Sequence, residues 1–197
     1  MAGVDEVGRG CLFGPVYAAA VILSPDRPVR GLRDSKQLRP AVREILAVRI
    51  RERAVAWSVA WADVEEIDTI NIYQASRLAM RRAVEQLSAP AQYLLIDALR
   101  LDLPLPQQGI IKGDTLSVSI AAASIVAKVE RDACMRHYDV VYPGYGLASH
   151  KGYCCPEHLD ALARFGPTPH HRRSFAPVRE AAGEGQLSLF AAGPEEE

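Results

Sequence analysis

Short apolar runs come first along this chain, and stretches of helical period follow them. Gly3–Val7 is a brief run whose apolar positions surround Asp5 and Glu6. Val16–Leu23 (VYAAAVIL) is apolar throughout, and Val55–Ala62 (VAWSVAWA) is rich in β-branched and aromatic residues. Tyr93–Asp97 (YLLID) and Gly109–Lys112 (GIIK) are short and apolar, as buried parallel strands usually are. Helical spacing appears over Pro40–Arg53, where Val42, Ile45, Leu46 and Arg49 recur at intervals of three or four. It returns over Ile72–Leu87, Ser117–His137 and Pro156–Phe165. Strands that give way to a strand–helix alternation predict an α/β domain, a mixed sheet flanked by helices.

After Val178 the pattern dissolves into EAAGEGQLSLFAAGPEEE, which composition predicts to be a mobile acidic tail. The expected division is therefore a folded domain over residues 1–179 and a tail over 180–197. Hydrophobic residues make up 49% of the chain and charged residues 24%, ordinary globular values. No secretion-signal pattern is present, and no apolar run approaches the ~18 residues of a membrane span. Cys11, Cys134, Cys154 and Cys155 form no C-x-x-C pair, which fits a reducing, cytoplasmic setting. A net charge of −1 gives no global attraction for nucleic acid. Charge is uneven, however: Lys151, Arg164, Arg172, Arg173 and Arg179 face only Glu157 and Asp160 over residues 147–179, among four of the histidines. Such a segment permits a polyanionic partner.

The candidate chemistry lies in four acids. Asp5 and Glu6 sit on the first strand, Asp97 ends YLLID, and Asp114 follows GIIK in the turn Lys112-Gly113-Asp114. Ligands of open α/β sheets collect at the carboxyl ends of strands. Carboxylates gathered there cannot all stay ionised without a cation, and hard oxygen ligands favour Mg²⁺ or Mn²⁺. Asp97 and Asp114 taken singly also fit ordinary turn or N-cap positions. Asp5-Glu6 in an apolar strand does not, because buried carboxylates need partners. Adjacent strand residues face opposite sides, so Glu6 joins Asp5 only if the strand twists, bulges or ends there.

An ordered series of motifs then becomes decisive: GVDEVGRG, Gly14-Pro15, DSKQL at 34–38, Asn71-Ile72, LLIDA at 94–98, KGD at 112–114, AAASIVAKVERD at 121–132, YPGYG at 142–146, HKGY at 150–153 and HHRRSF at 170–175. From about residue 3 to about 178 the chain resembles bacterial ribonuclease HII. The resemblance implies a ribonuclease-H-like fold with a five-stranded mixed sheet. It implies a monomeric endonuclease that cuts RNA in RNA–DNA hybrids and single ribonucleotides in duplex DNA, on the 5′ side, leaving 3′-hydroxyl and 5′-phosphate ends. Ribonucleotide removal from DNA would be its role. Asp5, Glu6, Asp97 and Asp114 match the family's metal-binding carboxylates, with Mn²⁺ or Mg²⁺ as cofactor. Gly8, Arg9 and Gly10 match its reader of the ribose 2′-hydroxyl, and Tyr153 its ring at the ribose–deoxyribose junction. Lys36 and Lys151 are expected phosphate contacts. The chemistry agrees: the 2′-hydroxyl distinguishes RNA from DNA, and an aromatic ring can stack on a neighbouring nucleotide.

Other constellations carry competing readings. Ser124, Lys128 and Asp132 share one helix face, and Asp132 is the alternative fourth acid. His150, Cys154, Cys155 and His158 match no usual zinc spacing. Cys154-Cys155-Pro156 departs from the family's Pro-Thr or Gly-Thr after HKGY. Arg172 and Arg173 read equally as phosphate contacts or basic surface. Gln186, Leu187, Leu189 and Phe190, in QLSLF, resemble the short peptide by which bacterial repair proteins dock on the DNA sliding clamp. A resolvase or integrase on the same fold, and a non-catalytic adaptor, are the rival readings; Arg9 with Tyr153 argues against the first and the four acids against the second. The related ribonuclease HIII carries an extra N-terminal domain, for which no room is expected before the first strand.

Overall fold

The predicted strands assemble into a single five-stranded sheet of order β3-β2-β1-β4-β5. In this computed structural model, which describes residues 1–183, they are β1 (Ala2–Val7), β2 (Val16–Ile22), β3 (Ala56–Ala62), β4 (Leu94–Asp97) and β5 (Gln107–Ile110). β1–β2 and β2–β3 pair antiparallel, while β1–β4 and β4–β5 pair parallel. β2 is apolar throughout because both its faces are covered. Val16, Ala18, Ala20 and Ile22 join the core on one side, and Ala19 and Val21 join the core on the other. The outer strand β3 alternates instead, with Trp57 and Trp61 exposed and Ala56, Ala60 and Ala62 buried.

Helix α1 (Pro40–Arg53) matches its predicted span, while α2 (Val64–Glu85) begins eight residues before the expected Ile72. Its first turn is secured by a capping box, with Asp63 accepting from the Glu66 amide and Glu66 returning the bond. At Asn71 (φ 65°) the helix breaks, and Asn71 Oδ1 accepts from the Tyr73 and Gln74 amides as a new cap. The apolar period therefore shows only the second half. Short α3 (Gly113–Leu116) precedes the long α4 (Val118–Val141); α5 (Leu147–His150), α6 (Pro156–Phe165) and α7 (Ala176–Ala181) follow.

α2 packs on one sheet face and α4 on the other, with α1 outside α4. The approach of α4 is close enough to require glycine at residue 3, where a Cβ would lie 2.1 Å from the Ser119 carbonyl carbon. β5 is shifted two residues from the expected Gly109–Lys112, because Asp97 pairs with Ile110 and Lys112 turns left-handed (φ 57°) into α3. Its leading Gln107 hid the strand from an apolar reading. That side chain donates to the Leu101 carbonyl and accepts from the Leu101 amide, bracing the loop before it. Among the described residues no helix is long and apolar enough to cross a membrane. Residues 184–197 lie outside the described residues, and with them Gln186, Leu187, Leu189 and Phe190.

Candidate active site

β1 and β4 pair through Ala2–Leu94, Gly3–Leu95 and Val4–Ile96. One step further along that register Asp5 comes beside Asp97, at the carboxyl ends of two parallel strands. β1 ends at Val7, and Asp5 Oδ1 bends back to accept from the Glu6 amide at 2.8 Å. Glu6 stays in regular register opposite Ala18 inside β1, and its side chain nevertheless brings a carboxylate oxygen beside those of Asp5 and Asp97. One carboxylate oxygen each from Asp5, Glu6 and Asp97 lies within 4.8 Å of the others.

Asp114 stands at the flank of this group, outside the set of three. Asp97 Oδ1 accepts from the Gly113 amide at 2.7 Å, which docks the start of α3 and brings the next residue, Asp114, into its field. Lys36 Nζ lies 3.9 Å from Asp114, and Asp34 shares a side-chain hydrogen bond with it. Asp34 escaped the sequence reading, although DSKQL contains it; its side chain also caps the short turn at Ser35.

The electrostatics are those of crowded, buried acids. Asp5 is 4% exposed, and burial pushes its carboxyl well above the usual range, with the Glu6 and Asp97 charges adding to the effect. Burial also raises Glu6, opposed by Arg9, whose Nη1 lies 3.5 Å from Glu6 Oε1. Asp114 is raised by burial and by Asp34, with Lys36 opposing. Glu6 Oε2 is buried with no hydrogen-bond partner. A buried oxygen without a donor is rare in a folded protein. Together with two neighbouring carboxylates it makes a hard-oxygen set that fits a divalent cation such as Mg²⁺ or Mn²⁺.

Beyond β1 the chain turns through Gly8 (φ 96°), Arg9 and Gly10. This loop lies beside the HKGY segment: Cys11 bridges Tyr153, and the Leu12 amide donates to the Gly152 carbonyl at 2.8 Å. The Tyr153 ring is 39% exposed and flanked by Lys128 Nζ at 5.9 Å and the Arg131 guanidinium at 5.8 Å. Burial raises its phenol, and a side-chain hydrogen bond ties it to Cys11. Lys36 has a side chain 78% exposed beside Asp114. Lys151 adopts a left-handed backbone (φ 54°) and donates from Nζ to the Ala148 carbonyl. It lines a cavity of about 260 Å³ with Arg43, Lys128, Asp132 and Arg136.

Three competing readings are resolved by position. Asp132 is held between Arg43 at 3.3 Å and Lys128 at 2.6 Å, outside the carboxylate set, so it is a buried ion-pair partner. Ser124 bonds Ser35 Oγ at 2.7 Å and also reaches Asp5. His158 belongs to a relay: the Thr168 amide donates to His171 Nδ1, so His171 Nε2–H donates to His158 Nε2, and His158 Nδ1–H donates to the Tyr153 carbonyl. Among the described residues no histidine–cysteine group gathers at metal-ligating distance. Arg172 is 0% exposed, which rules out both basic surface and a phosphate contact, and donates to the Gly14 and Arg9 carbonyls. The Arg173 amide bonds Asp68. Arg131, also 0% exposed, escaped the sequence reading because KVERD looks like a solvated helix face.

The family model for ribonuclease HII matches residues 2–178. The chain is 64% identical over 195 residues to the ribonuclease HII of Solibacter usitatus, covering 96% of this chain and 86% of that one. Its fold is similar to the ribonuclease H2 of Pyrococcus horikoshii OT3, with TM-score 0.79 and 25% identity over 93% of this chain and 97% of that one. It is also similar to the ribonuclease HII of Archaeoglobus fulgidus, solved in complex with PCNA, with TM-score 0.75 and 25% identity over 95% and 98%. An acidic strand-end cluster, a mixed five-stranded sheet and a match across nearly the whole described chain converge on one conclusion: the protein belongs to the ribonuclease HII family, metal-dependent endoribonucleases that hydrolyse the RNA of RNA–DNA hybrids.

Proposed function

We propose that this protein cuts on the 5′ side of ribonucleotides, including a single ribonucleotide embedded in duplex DNA, by two-metal-ion hydrolysis. The observation that carries this reading is the buried Asp5–Glu6–Asp97 set, with its unpartnered Glu6 oxygen, one turn away from the Gly8–Arg9–Gly10 loop. Asp5, Glu6, Asp97 and Asp114 would hold the ions. Mg²⁺ or Mn²⁺ bound there supplies an acidified water and charge neutralisation at the scissile phosphodiester.

The chain's own residues do the rest. β1 and β4 hold Asp5 and Asp97 on rigid strand ends, so the ligand positions are built before substrate arrives. Peptide groups at Gly8 and Gly10 approach the ribose 2′-hydroxyl with no side chain between. Arg9 balances Glu6 and offers its remaining donors to phosphate. Tyr153 stacks at the junction, and Lys36 and Lys151 hold the backbone phosphates. Such an enzyme would open DNA for ribonucleotide removal. The tail residues Gln186, Leu187, Leu189 and Phe190 would dock on the sliding clamp; the relative from Archaeoglobus fulgidus, solved with PCNA, supports this reading of the tail.

The test uses end-labelled DNA duplexes carrying one ribonucleotide, a four-ribonucleotide tract, or none, with Mg²⁺ and Mn²⁺ supplied separately. A nick on the 5′ side of the lone ribonucleotide, lost in Asp5→Asn and Asp97→Asn, is expected. Cleavage of the tract alone refutes the role given to the loop and Tyr153. For the tail, a labelled peptide spanning QLSLF should bind the clamp, and a Leu189/Phe190 double-alanine peptide should not.

A further inference from the structure

We infer that Arg131 and Arg172 form a buried clamp that fixes the Gly8–Arg9–Gly10 loop against Tyr153, and that this spacing sets discrimination for a lone ribonucleotide. The inference rests on the reading of that loop and ring as the ribose reader.

Both side chains are fully buried, at 0% exposure. Among the described residues, neither guanidinium forms a salt bridge with a carboxylate. A buried charge without a counter-charge is expensive, and well-packed apolar residues would often serve stability better. What these two charges have instead is main-chain carbonyls. Arg131 donates from Nη1 to Lys151 at 2.8 Å, from Nη2 to Phe13 at 3.2 Å and from Nε to Pro15 at 3.4 Å. Arg172 donates from Nη1 to Arg9 and from Nε to Gly14, both at 2.9 Å. Every one of these carbonyls lies in the stretch from Arg9 to Pro15 or at Lys151, the two segments that carry the loop and the ring.

Contact reinforces the bonding. A Cβ on Gly8 would sit 2.2 Å from Arg131 Nε, so the loop's first glycine rests directly on that guanidinium. The same guanidinium lies 5.8 Å from the Tyr153 ring centre, and one on Gly152 would come within 3.6 Å of its Nη2. The Arg172 amide adds a bond to the Leu12 carbonyl at 2.8 Å. A planar guanidinium fork holds two acceptors at a set separation, whereas a lysine ammonium is a single mobile point of charge. Two forks anchored in α4 and in the HHRRSF segment therefore define where the loop stands relative to the ring. These are positioning residues: neither is exposed, so neither touches the nucleic acid.

The test compares Arg172→Lys and Arg131→Lys with wild type, since lysine keeps the charge and loses the fork. kcat and KM are measured on a duplex with one ribonucleotide and on a hybrid with a four-ribonucleotide tract, beside thermal melts. We expect kcat/KM on the lone ribonucleotide to fall by about tenfold or more while the tract changes by less than about threefold, the loss of a charge-assisted bond acting on one substrate only. Equal losses on both substrates, tracking a lowered melting temperature, would reduce the clamp to a structural role and overturn the proposal; so would an unchanged ratio. If neither variant folds, amide exchange of wild type decides. The Leu12 and Gly14 amides, which donate to Gly152 and His170 carbonyls, should exchange as slowly as those of β1, and loop-like exchange would overturn the clamp. A wild type that leaves the lone ribonucleotide uncut fails the ribose-reader reading itself, before any variant is compared.

Discussion

Replacing Asp5 by Asn should make the metal-free protein more stable while abolishing its activity. The substitution keeps the side-chain shape and the oxygen that accepts from the Glu6 amide at 2.8 Å. It removes one of three charges whose oxygens lie within 4.8 Å of one another. Each of the two repulsions on the Asp5 charge, from Glu6 and from Asp97, is worth about 3 kcal/mol at that separation and an effective dielectric of ~20. Burial and the two neighbouring charges raise the Asp5 carboxyl, which relieves part of that repulsion. A gain of about 1–3 kcal/mol in chelator follows, which for a chain of this size raises the melting temperature by about 3–10 °C. Adding Mn²⁺ should reverse the order. Wild type gains about 2.7 kcal/mol at a metal concentration a hundredfold above its Kd, and the variant, lacking one ligand, gains much less. Paired melts in chelator and in Mn²⁺ measure both effects without any assay of cleavage. A variant that melts below wild type in chelator, or one stabilised by Mn²⁺ as strongly as wild type, would refute the crowded-charge account.

Other outcomes follow from the surroundings of the site. Gly8→Ala forces a side chain into a left-handed backbone at φ 96° and onto Arg131 Nε 2.2 Å away, and urea unfolding should show a loss of about 2–4 kcal/mol. Burial, then the neighbouring His158 and His170, hold the His171 pKa down at about 3 in the folded chain, against 6.5 ordinarily. The unfolded chain therefore binds the extra proton between those values, so this contribution to stability is complete above pH 6.5 and is lost as pH falls toward 3. At pH 5 the loss is about 2 kcal/mol, and His171→Gln should show a correspondingly shallower fall between pH 7.5 and 5 by urea titration. A parallel fall in both proteins would count against it. Tyr153→Ala should lower cleavage of a lone ribonucleotide by about 10–100-fold through lost stacking, while Tyr153→Phe keeps most of it; equal losses would place the effect in the phenol and its bond to Cys11.

Much of the sheet could be read from local pattern, because a strand covered on both faces must be apolar throughout, as β2 is. The same logic failed where polar side chains have local employment. Gln107 at the head of β5 braces a loop, and Asp63 with Glu66 opens α2 ahead of its apolar period. The D-x-x-E capping box was there to be recognised, whereas the apolar period begins only at Ile72 and so marks the helix beyond the kink at Asn71.

The sequence by itself determined the alternation of strand and helix, the pairing of Asp5 with Glu6 before a glycine turn, and the family to which those motifs belong, because apolar period and motif order are local properties of the chain. Only the tertiary structure decided which acids meet. β1 and β4 lie side by side through a register formed across some ninety intervening residues, and that register sets Asp5 against Asp97. It removed Asp132 from the cluster by giving it Arg43, a residue 89 positions away. It turned Arg172 from a surface cation into a buried one that holds Arg9, 163 positions earlier in the chain. Burial and long-range partners are what assign a charged side chain its role, and neither is encoded in its immediate neighbours.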